Sequence, residues 1–590
     1  MREDPLMRIE CVFGRLVAVA LLVASPASAQ QASPAPRLVT EAVRVNVVNV
    51  ETFVSDRQGR PVTDLTAADF EIEEDGKPVA LTNFFAGRKP ESAQAGVVPA
   101  TEPPAAQPGR MEGPQVDQEQ RLNLVVFVDN GNISRVGRAA VFEQLRRLLK
   151  EGTRPGDRIG LVSFDRRLKE SQAFTEQPAV ALATLDRMAK ESSEGTLIAS
   201  EKSYLERSMA TAEGSANVAS GRGSHGQDAT AAMARYLLED IDSFNERNFQ
   251  LYRSIMDGLI RFVDSLAGLP GRKVLLYVSE GLPMRVGQDL YDEWQARFPT
   301  IAVQMNFNPF LQTARFNITS YFRDVIHHAN AGRVTIYSIV AKTDRGLEGM
   351  SSETPGMSAV PALGAEDTMN REVSMIAFAS ATGGKFLPNT PGLGETLIRM
   401  ADDFTSYYSL GYSPAHLGDG KYHRLVVKVK RAGVKVRHRE GYLDKPETER
   451  LADRTGAALL VAGDKNALEA RVSFGEGRKE EGRVYRVPLT VTVPGAHLAL
   501  LDQGAARAGR VTICMAAKDE EGRRAEPQCK SFDIAVPAER FAAWSGQAAT
   551  FSFEVQLRKG RCRLAVTARD EVAQEETIVV RDVAVPGGSN

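Results

Sequence analysis

Apolar residues run without alternation at Leu124-Val125-Val126-Phe127-Val128 and again at Val274-Leu275-Leu276-Tyr277-Val278. Each run has the length of a strand, and each leads into an acid and a glycine: Asp129 with Gly131, and Glu280 with Gly281. A strand that is apolar at every position suits a parallel sheet covered on both faces. Ligands of such sheets bind beyond the carboxyl ends of the strands. The pattern therefore predicts that Asp129 and Glu280, far apart in the chain, converge on one polar edge.

Other periodicities fill in the rest. Residues 139–150 and 231–266 carry apolar positions at helical spacing, the second through Leu237, Ile241, Phe244, Leu251, Ile255, Leu259 and Phe262. Residues 40–86 alternate and turn at Asp75-Gly76, which predicts strands and a hairpin. The acids around that turn fit no calcium-loop spacing and read as a solvated strand face. Strands return at 407–412, 422–430 and 434–439, with Gly418-Asp419-Gly420 as a turn. Three strands in each block are too few to stand alone. The two blocks are predicted to pack on one another as six strands, with the central region inserted between them. Seven short strands with turns between them, from 468 to 584, predict a C-terminal β-sandwich of immunoglobulin-like pattern. Residues 88–119, rich in Pro, Ala, Gly and Gln, read as a flexible linker.

The central region resembles the von Willebrand factor type A domain. The matching stretches are Leu124–Ser134, Asp157–Phe164, Gly271–Gly281, Val334–Ile339 and Ala381-Thr382-Gly383-Gly384-Lys385-Phe386, in that order. The Val50–Asp56 and Asp69-Phe70 segments, with Gly441-Tyr442, extend the resemblance over about residues 40–445 to the VWFA-related acidobacterial family. The resemblance implies a doubly wound α/β (type A/Rossmann-like) unit over 120–402. Around it lie split β-strands at 40–87 and 403–445 and a sandwich at 466–590. It further implies a divalent cation such as Mg²⁺ at the carboxyl edge, held by an Asp-x-Ser-x-Ser motif, a distant Thr and a later acid. On this sequence the candidates are Asp129, Asn132, Ser134, Thr196 and Glu280. The set is degenerate. Gly131 and Ile133 stand where the motif has serines, Asn132 and Ser134 are one place out of register, and Glu280 replaces an aspartate. The alternative is that Asp129 and Asn130 bond the following loop and cap the next helix.

Composition adds a compartment. Arg8 and Arg15 precede the apolar stretch 16–25, and Ala27-Ser28-Ala29 is a small-x-small cleavage site, so residues 1–29 read as a signal peptide. The expected location is secreted or periplasmic, with no membrane span in the mature chain. A net charge of −2 gives no electrostatic case for nucleic acid. Beyond the leader the cysteines are Cys514, Cys529 and Cys562. A two-residue turn at Glu521-Gly522 would set Cys514 opposite Cys529 on one sheet face, which predicts a disulfide between them and a buried free thiol at Cys562.

The chain contains no Gly-x-Ser-x-Gly, His-Glu-x-x-His or phosphate-loop motif. An aromatic-rich insertion, 283–317, follows the second acid. Its Trp294, Phe307 and Phe310, with Phe298 and Phe316, form either a ligand-binding surface or a small satellite core. The reading is an exported, non-enzymatic binding or adhesion-type protein that recognises a protein or surface ligand at the carboxyl edge. Intact type A sites recruit a ligand carboxylate to the metal; here the inserted loop would take over. The alternatives are a structural subunit of a cell-envelope complex and a hydrolase without a recognisable motif.

Overall fold

Alternation in the first block becomes β1 (Val48–Ser55), β2 (Phe70–Glu74), β3 (Lys77–Val79) and β4 (Leu81–Ala86). The structure, a computed structural model, describes residues 47–87, 121–219, 224–341, 361–390, 392–404, 406–461 and 465–585. The expected leader at 1–29 and linker at 88–119 lie outside the described residues, as does the start of the first strand.

The fold is mixed α/β with several antiparallel sheets. The central region contributes β5 (Leu122–Asp129), β6 (Arg158–Asp165), β7 (Arg167–Thr175), β8 (Arg272–Ser279), β9 (Val334–Val340) and β10 (Phe386–Leu387). They form one sheet in the order β10-β9-β8-β5-β6-β7. The pairs β5–β6, β5–β8, β8–β9 and β9–β10 are parallel, and β7 is an antiparallel edge. The helices are α1 (Arg135–Glu151), α2 (Pro178–Met188), α3 (Gly195–Ala219), α4 (Ser224–Ala267), α5 (Gln288–Arg297), α6 (Pro299–Gln304), α7 (Pro309–Ala314), α8 (Thr319–Ala331), α9 (Pro361–Ala381) and α10 (Leu393–Asp403).

Two separate cores explain the continuous apolar runs. Val125, Phe127, Leu275 and Tyr277 pack with α4, α5, α8 and α9. Leu124, Val126, Val128, Leu276 and Val278 pack with α1, α2 and α10. Neighbouring residues of one strand thus serve opposite faces, and both faces are covered.

After α10 come β11 (Tyr408–Tyr412), β12 (Tyr422–Val429), β13 (Lys435–His438) and β14 (Gly441–Leu443). The two outlying blocks pair strand to strand. Val50 faces Leu410, Phe53 faces Arg437 and Ile72 faces Val427. The sheets run β13-β1-β11-β4 and β14-β12-β2-β3, eight strands where six were expected. One extra strand arises because the expected return limb of the Asp75-Gly76 hairpin splits into β3 and β4, which join different sheets; the other is β14, the Gly441-Tyr442 segment. Phe70, Tyr408, Leu410 and Val427 share their core, with the Phe70 and Tyr408 rings 5.0 Å apart.

Helix α11 (Glu447–Ala458) leads to the C-terminal unit. All seven expected strands form there. Strands 471–474, 484–494 and 548–558 make one sheet, with the short 478–479 strand. Strands 506–519, 524–537, 560–570 and 576–585 make most of the other. One apolar cluster lies between them. Lys518 and Arg524 reach Glu170 on β7 at 3.1 and 2.9 Å, tying this unit to the central sheet.

Cys514 and Cys529 are opposite one another and joined by a disulfide, but not through the expected turn. The hairpin loop has three residues, Glu520 to Gly522, with Gly522 in the left-handed region (φ 81°) that glycine adopts without strain. The register then shifts between Met515 and Ala517, where the second strand carries an extra residue at Glu526-Pro527. Proline lacks the N–H a ladder needs and fits a bulge. The bulge makes up the residue that the longer loop displaces. Cys562 is buried and free, and burial, with Asp519 nearby, pushes its thiol up to about 11. Mass spectrometry of unreduced peptides is expected to find only the Cys514–Cys529 link. Reduction should cost the sandwich about 3 kcal/mol, given a loop of 15 residues.

Candidate functional site

Beyond the ends of β5 and β8, three segments close on one another. The Glu194 N–H bonds the Asn130 carbonyl at 2.9 Å, and the Glu280 N–H bonds the Asn132 carbonyl at 3.2 Å. Gly195 lies so close to Ile133 that a Cβ there would sit 2.5 Å from its backbone. This brings Asp129, Asn132, Ser134, Thr196 and Glu280 to a single edge.

Their individual roles are specific. Asp129 is fully buried. Its Oδ2 accepts hydrogen bonds from Tyr277 Oη at 3.0 Å and Ser279 Oγ at 2.9 Å. Its Oδ1 is buried without a formed hydrogen bond. The nearby N–H groups of Gly131 and Asn132 are spent on the carbonyls of Phe164 and Asp129. Burial raises the Asp129 carboxyl to about 7, against the opposing pull of the Ser279 and Tyr277 hydroxyls. Ser134 is the N-cap of α1. Its Oγ accepts from the Gly137 N–H at 3.1 Å and donates to Glu280. Glu280 Oε1 also accepts the Ser134 N–H at 2.9 Å. Asn132 Nδ2 donates to the Gly281 carbonyl at 2.6 Å. Thr196 Oγ1 faces the Arg135 N–H at 3.4 Å. Arg138, buried beneath the loop, bonds Asn130 Oδ1 at 2.9 Å and the Ala189 and Ser192 carbonyls. The helix cap is therefore Ser134 rather than Asp129 or Asn130.

As placed, these groups do not fit an octahedral oxygen site of the Mg²⁺ type. Positions 131 and 133 offer no side-chain oxygen. Ser134 Oγ is held between a backbone donor and Glu280, and Asn132 turns its amide nitrogen to Gly281. The carboxylates work instead as acceptors that fasten the β5–α1 loop to β8. Adding Mg²⁺ is accordingly expected to leave the Tm unchanged. A saturable rise at micromolar ion, lost in Asp129→Ala, would contradict this reading.

The inserted elements cover this edge. Lys202 of α3 is paired with Asp289 of α5 and with Asp367 of α9, at 3.1 Å from the latter. Arg371 pairs with Asp367 at 3.1 Å, and its Nη1 lies 3.5 Å from the Gly281 carbonyl. The neighbouring cations hold the Asp367 carboxyl below its usual range despite burial, and Asp289 and Asp367 hold Lys202 above its own.

The aromatic insertion divides. Trp294 is completely buried and donates from Nε1 to the Ala234 carbonyl at 2.8 Å. Its ring lies 4.6 Å from Phe307 and 5.8 Å from Phe298. Phe298 and Phe316 are buried, and Phe307 packs against the same core. Trp294 and Phe307 are thus core rather than binding surface, because helices α5–α7 fold over them. Phe310 alone of the five is exposed, at 55%, with Arg285 over its ring at 4.8 Å.

Phe310 has apolar company that the sequence pattern did not single out. Val303 (82%), Met305 and Leu311 (66%) are exposed in the same insertion. Met369 (70%), Val373 and Ile376 line one face of α9 at helical spacing. Leu197 and Tyr204 on α3, and Met233 and Tyr236 on α4, are exposed too. Most of the large exposed apolar side chains among the described residues therefore stand on elements inserted around the carboxyl edge.

No protein-family model matches the chain, and no curated protein matches it. Solved structures match loosely. The three N-terminal domains of the type V pili tip protein Mfa5 from Porphyromonas gingivalis are 9% identical, over 92% of this chain and 77% of that one, with a TM-score of 0.23. The pilus adhesin SpaC from Lactobacillus rhamnosus GG, in its open conformation, is 6% identical over 73% of this chain and 52% of that one (TM-score 0.21). The PilB minor pilin from Streptococcus sanguinis is 11% identical over 62% and 87% (TM-score 0.21). Superpositions this loose fix neither fold nor function.

Proposed function

We propose that the chain is an exported, non-enzymatic binding protein of adhesion type. Its central unit is read as a doubly wound type A domain without a working metal site, and its C-terminal unit as an immunoglobulin-like sandwich. The partner, a protein or a surface ligand, is held against the carboxyl edge by apolar contact. The observation that carries this reading is the concentration of exposed apolar side chains on α3, α6, α7 and α9. Exposed apolar side chains concentrated on a few elements of a folded protein are the raw material of an interaction site. Export rests on the Arg8–Ala29 pattern and agrees with a disulfide, which persists in oxidising compartments. Among the described residues no helix is long and apolar enough to cross a membrane.

The test is affinity capture from the cell envelope with the parent chain and three variants. Phe310→Asp and Val373→Asp are expected to lower recovery of the partner by about tenfold or more, the effect of losing a central interface anchor. Leu501→Asp, at an exposed apolar position of the C-terminal unit, should leave recovery unchanged. Equal recovery by all four proteins would reject the proposed face and favour a structural interface elsewhere.

A further inference from the structure

A second polar cluster lies in the split β unit, away from the central sheet. It is assembled where β2 and the β11–β12 connection meet. Glu74 ends β2, His423 lies on β12, and His416 and Asp419 come from the loop before it. One ligand atom from each of Glu74, His416 and His423 lies within 4.8 Å of the other two. Glu74 and His423 are buried.

Both imidazoles are fixed from behind by carboxylates. His416 Nδ1 is 2.8 Å from Asp444 Oδ2, and His423 Nδ1 is 2.8 Å from Asp75 Oδ2. A carboxylate only accepts, so each Nδ1 carries a proton, and in the neutral ring Nε2 is the nitrogen left to bind a metal. Each Nε2 faces a further carboxylate. His416 Nε2, buried and without a hydrogen bond, is 3.4 Å from Glu74 Oε2. His423 Nε2 is 3.2 Å from Asp419 Oδ1. Two acceptors this close repel unless a proton or a cation lies between them. Metal–ligand bonds of about 2.0–2.1 Å at a tetrahedral angle hold their donor atoms about 3.3 Å apart. Carboxylates bonded to the far nitrogen are also what orients metal-binding histidines.

We infer that Glu74, His416 and His423, with Asp419 beside them, bind a divalent transition metal of the zinc class. Nitrogen and carboxylate donors of this mixture suit Zn²⁺ and Co²⁺ rather than Mg²⁺. Asp444 is spent on positioning: its oxygens accept the Gly418 N–H at 2.6 Å and Arg450 at 2.7 Å. Glu74 Oε1 is held by Tyr442 Oη at 2.7 Å, which aims Oε2 at His416. The two rings stack at 3.7 Å with planes 10° apart. Parallel rings cannot both direct in-plane lone pairs at one ion, so binding turns one ring out of the stack. The ion would join the loop before β12 to the end of β2, strands supplied by the two blocks that flank the central region. The site is independent of the proposed partner face.

The test strips the full chain with chelator and titrates it with Zn²⁺ by calorimetry and with Co²⁺ by visible absorption. One ion per chain is expected, with a tetrahedral Co²⁺ spectrum and a higher Tm. Glu74→Gln and His416→Ala should each weaken binding by about tenfold or more. Glu74→Gln keeps an acceptor for Tyr442 and for Tyr412, whose hydroxyl also donates to Oε1, so its metal-free fold should match the parent by circular dichroism. Asp129→Asn should bind as the parent does. Absence of saturable binding would overturn the assignment, as would binding that survives both Glu74→Gln and His416→Ala. Failure here leaves the partner face untouched, because that is read from the Phe310 and Val373 variants.

Discussion

Asp129→Asn is expected to gain stability relative to the parent as pH rises from about 4 to 7, with the difference level above that. The parent carboxyl titrates near 3.9 when unfolded and at about 7 when folded. Between those values the folded state binds the extra proton, so the parent loses stability with rising pH. Below pH 4 both states are protonated and the contribution is fully present; above pH 7 it is gone. A displacement of this size corresponds to at most about 4 kcal/mol. Asparagine has no charge to bury and still offers an oxygen to Tyr277 and Ser279. Urea unfolding of both proteins from pH 4.5 to 8.5 measures the effect. A variant that instead loses stability at pH 8 would mean that the folded protein needs an ionised Asp129, as a cation site would.

Trp294→Ala should cost about 3–5 kcal/mol, the range for removing a buried large aromatic. The ring fills the space between α4 and the inserted helices, and its N–H bonds the Ala234 carbonyl. Truncation leaves a cavity and removes that tie between α5 and α4. Phe310→Ala, on the surface above it, should change stability by less than about 0.5 kcal/mol. Equilibrium unfolding compares the two. A cost below about 1 kcal/mol for Trp294→Ala would show that the insertion is not a packed part of the central core.

The sequence makes some of this architecture legible and hides the rest for identifiable reasons. Residues 124–128 and 274–278 announce a sheet covered on both faces because no position among them tolerates water. Their ends place Asp129 and Glu280 at one edge. What the two acids do there is not visible, since Tyr277 and Ser279 read as ordinary strand residues yet supply the hydroxyls that bind Asp129. Aromatic content alone cannot separate Trp294 from Phe310: the side of α5–α7 on which each falls is decided by packing against α4. The Cys514–Cys529 pairing is expected from a two-residue turn that does not form; it survives because a three-residue loop and a bulge at Pro527 cancel, and neither is legible singly. The histidine cluster is the least accessible. Gly418-Asp419-Gly420 reads as a turn and Glu74-Asp75 as a solvated hairpin. Only the pairing of β2 with β12 joins them, across 348 residues between His423 and Asp75.

The central claim is that a partner sits on the apolar carboxyl edge. Hydrogen–deuterium exchange of the chain, alone and with its captured partner, tests it most directly. Protection is expected in 299–314 and 361–381, with the 466–585 sandwich unchanged. Protection confined to the sandwich or the split β unit, with α6, α7 and α9 exchanging as in the free chain, would contradict it.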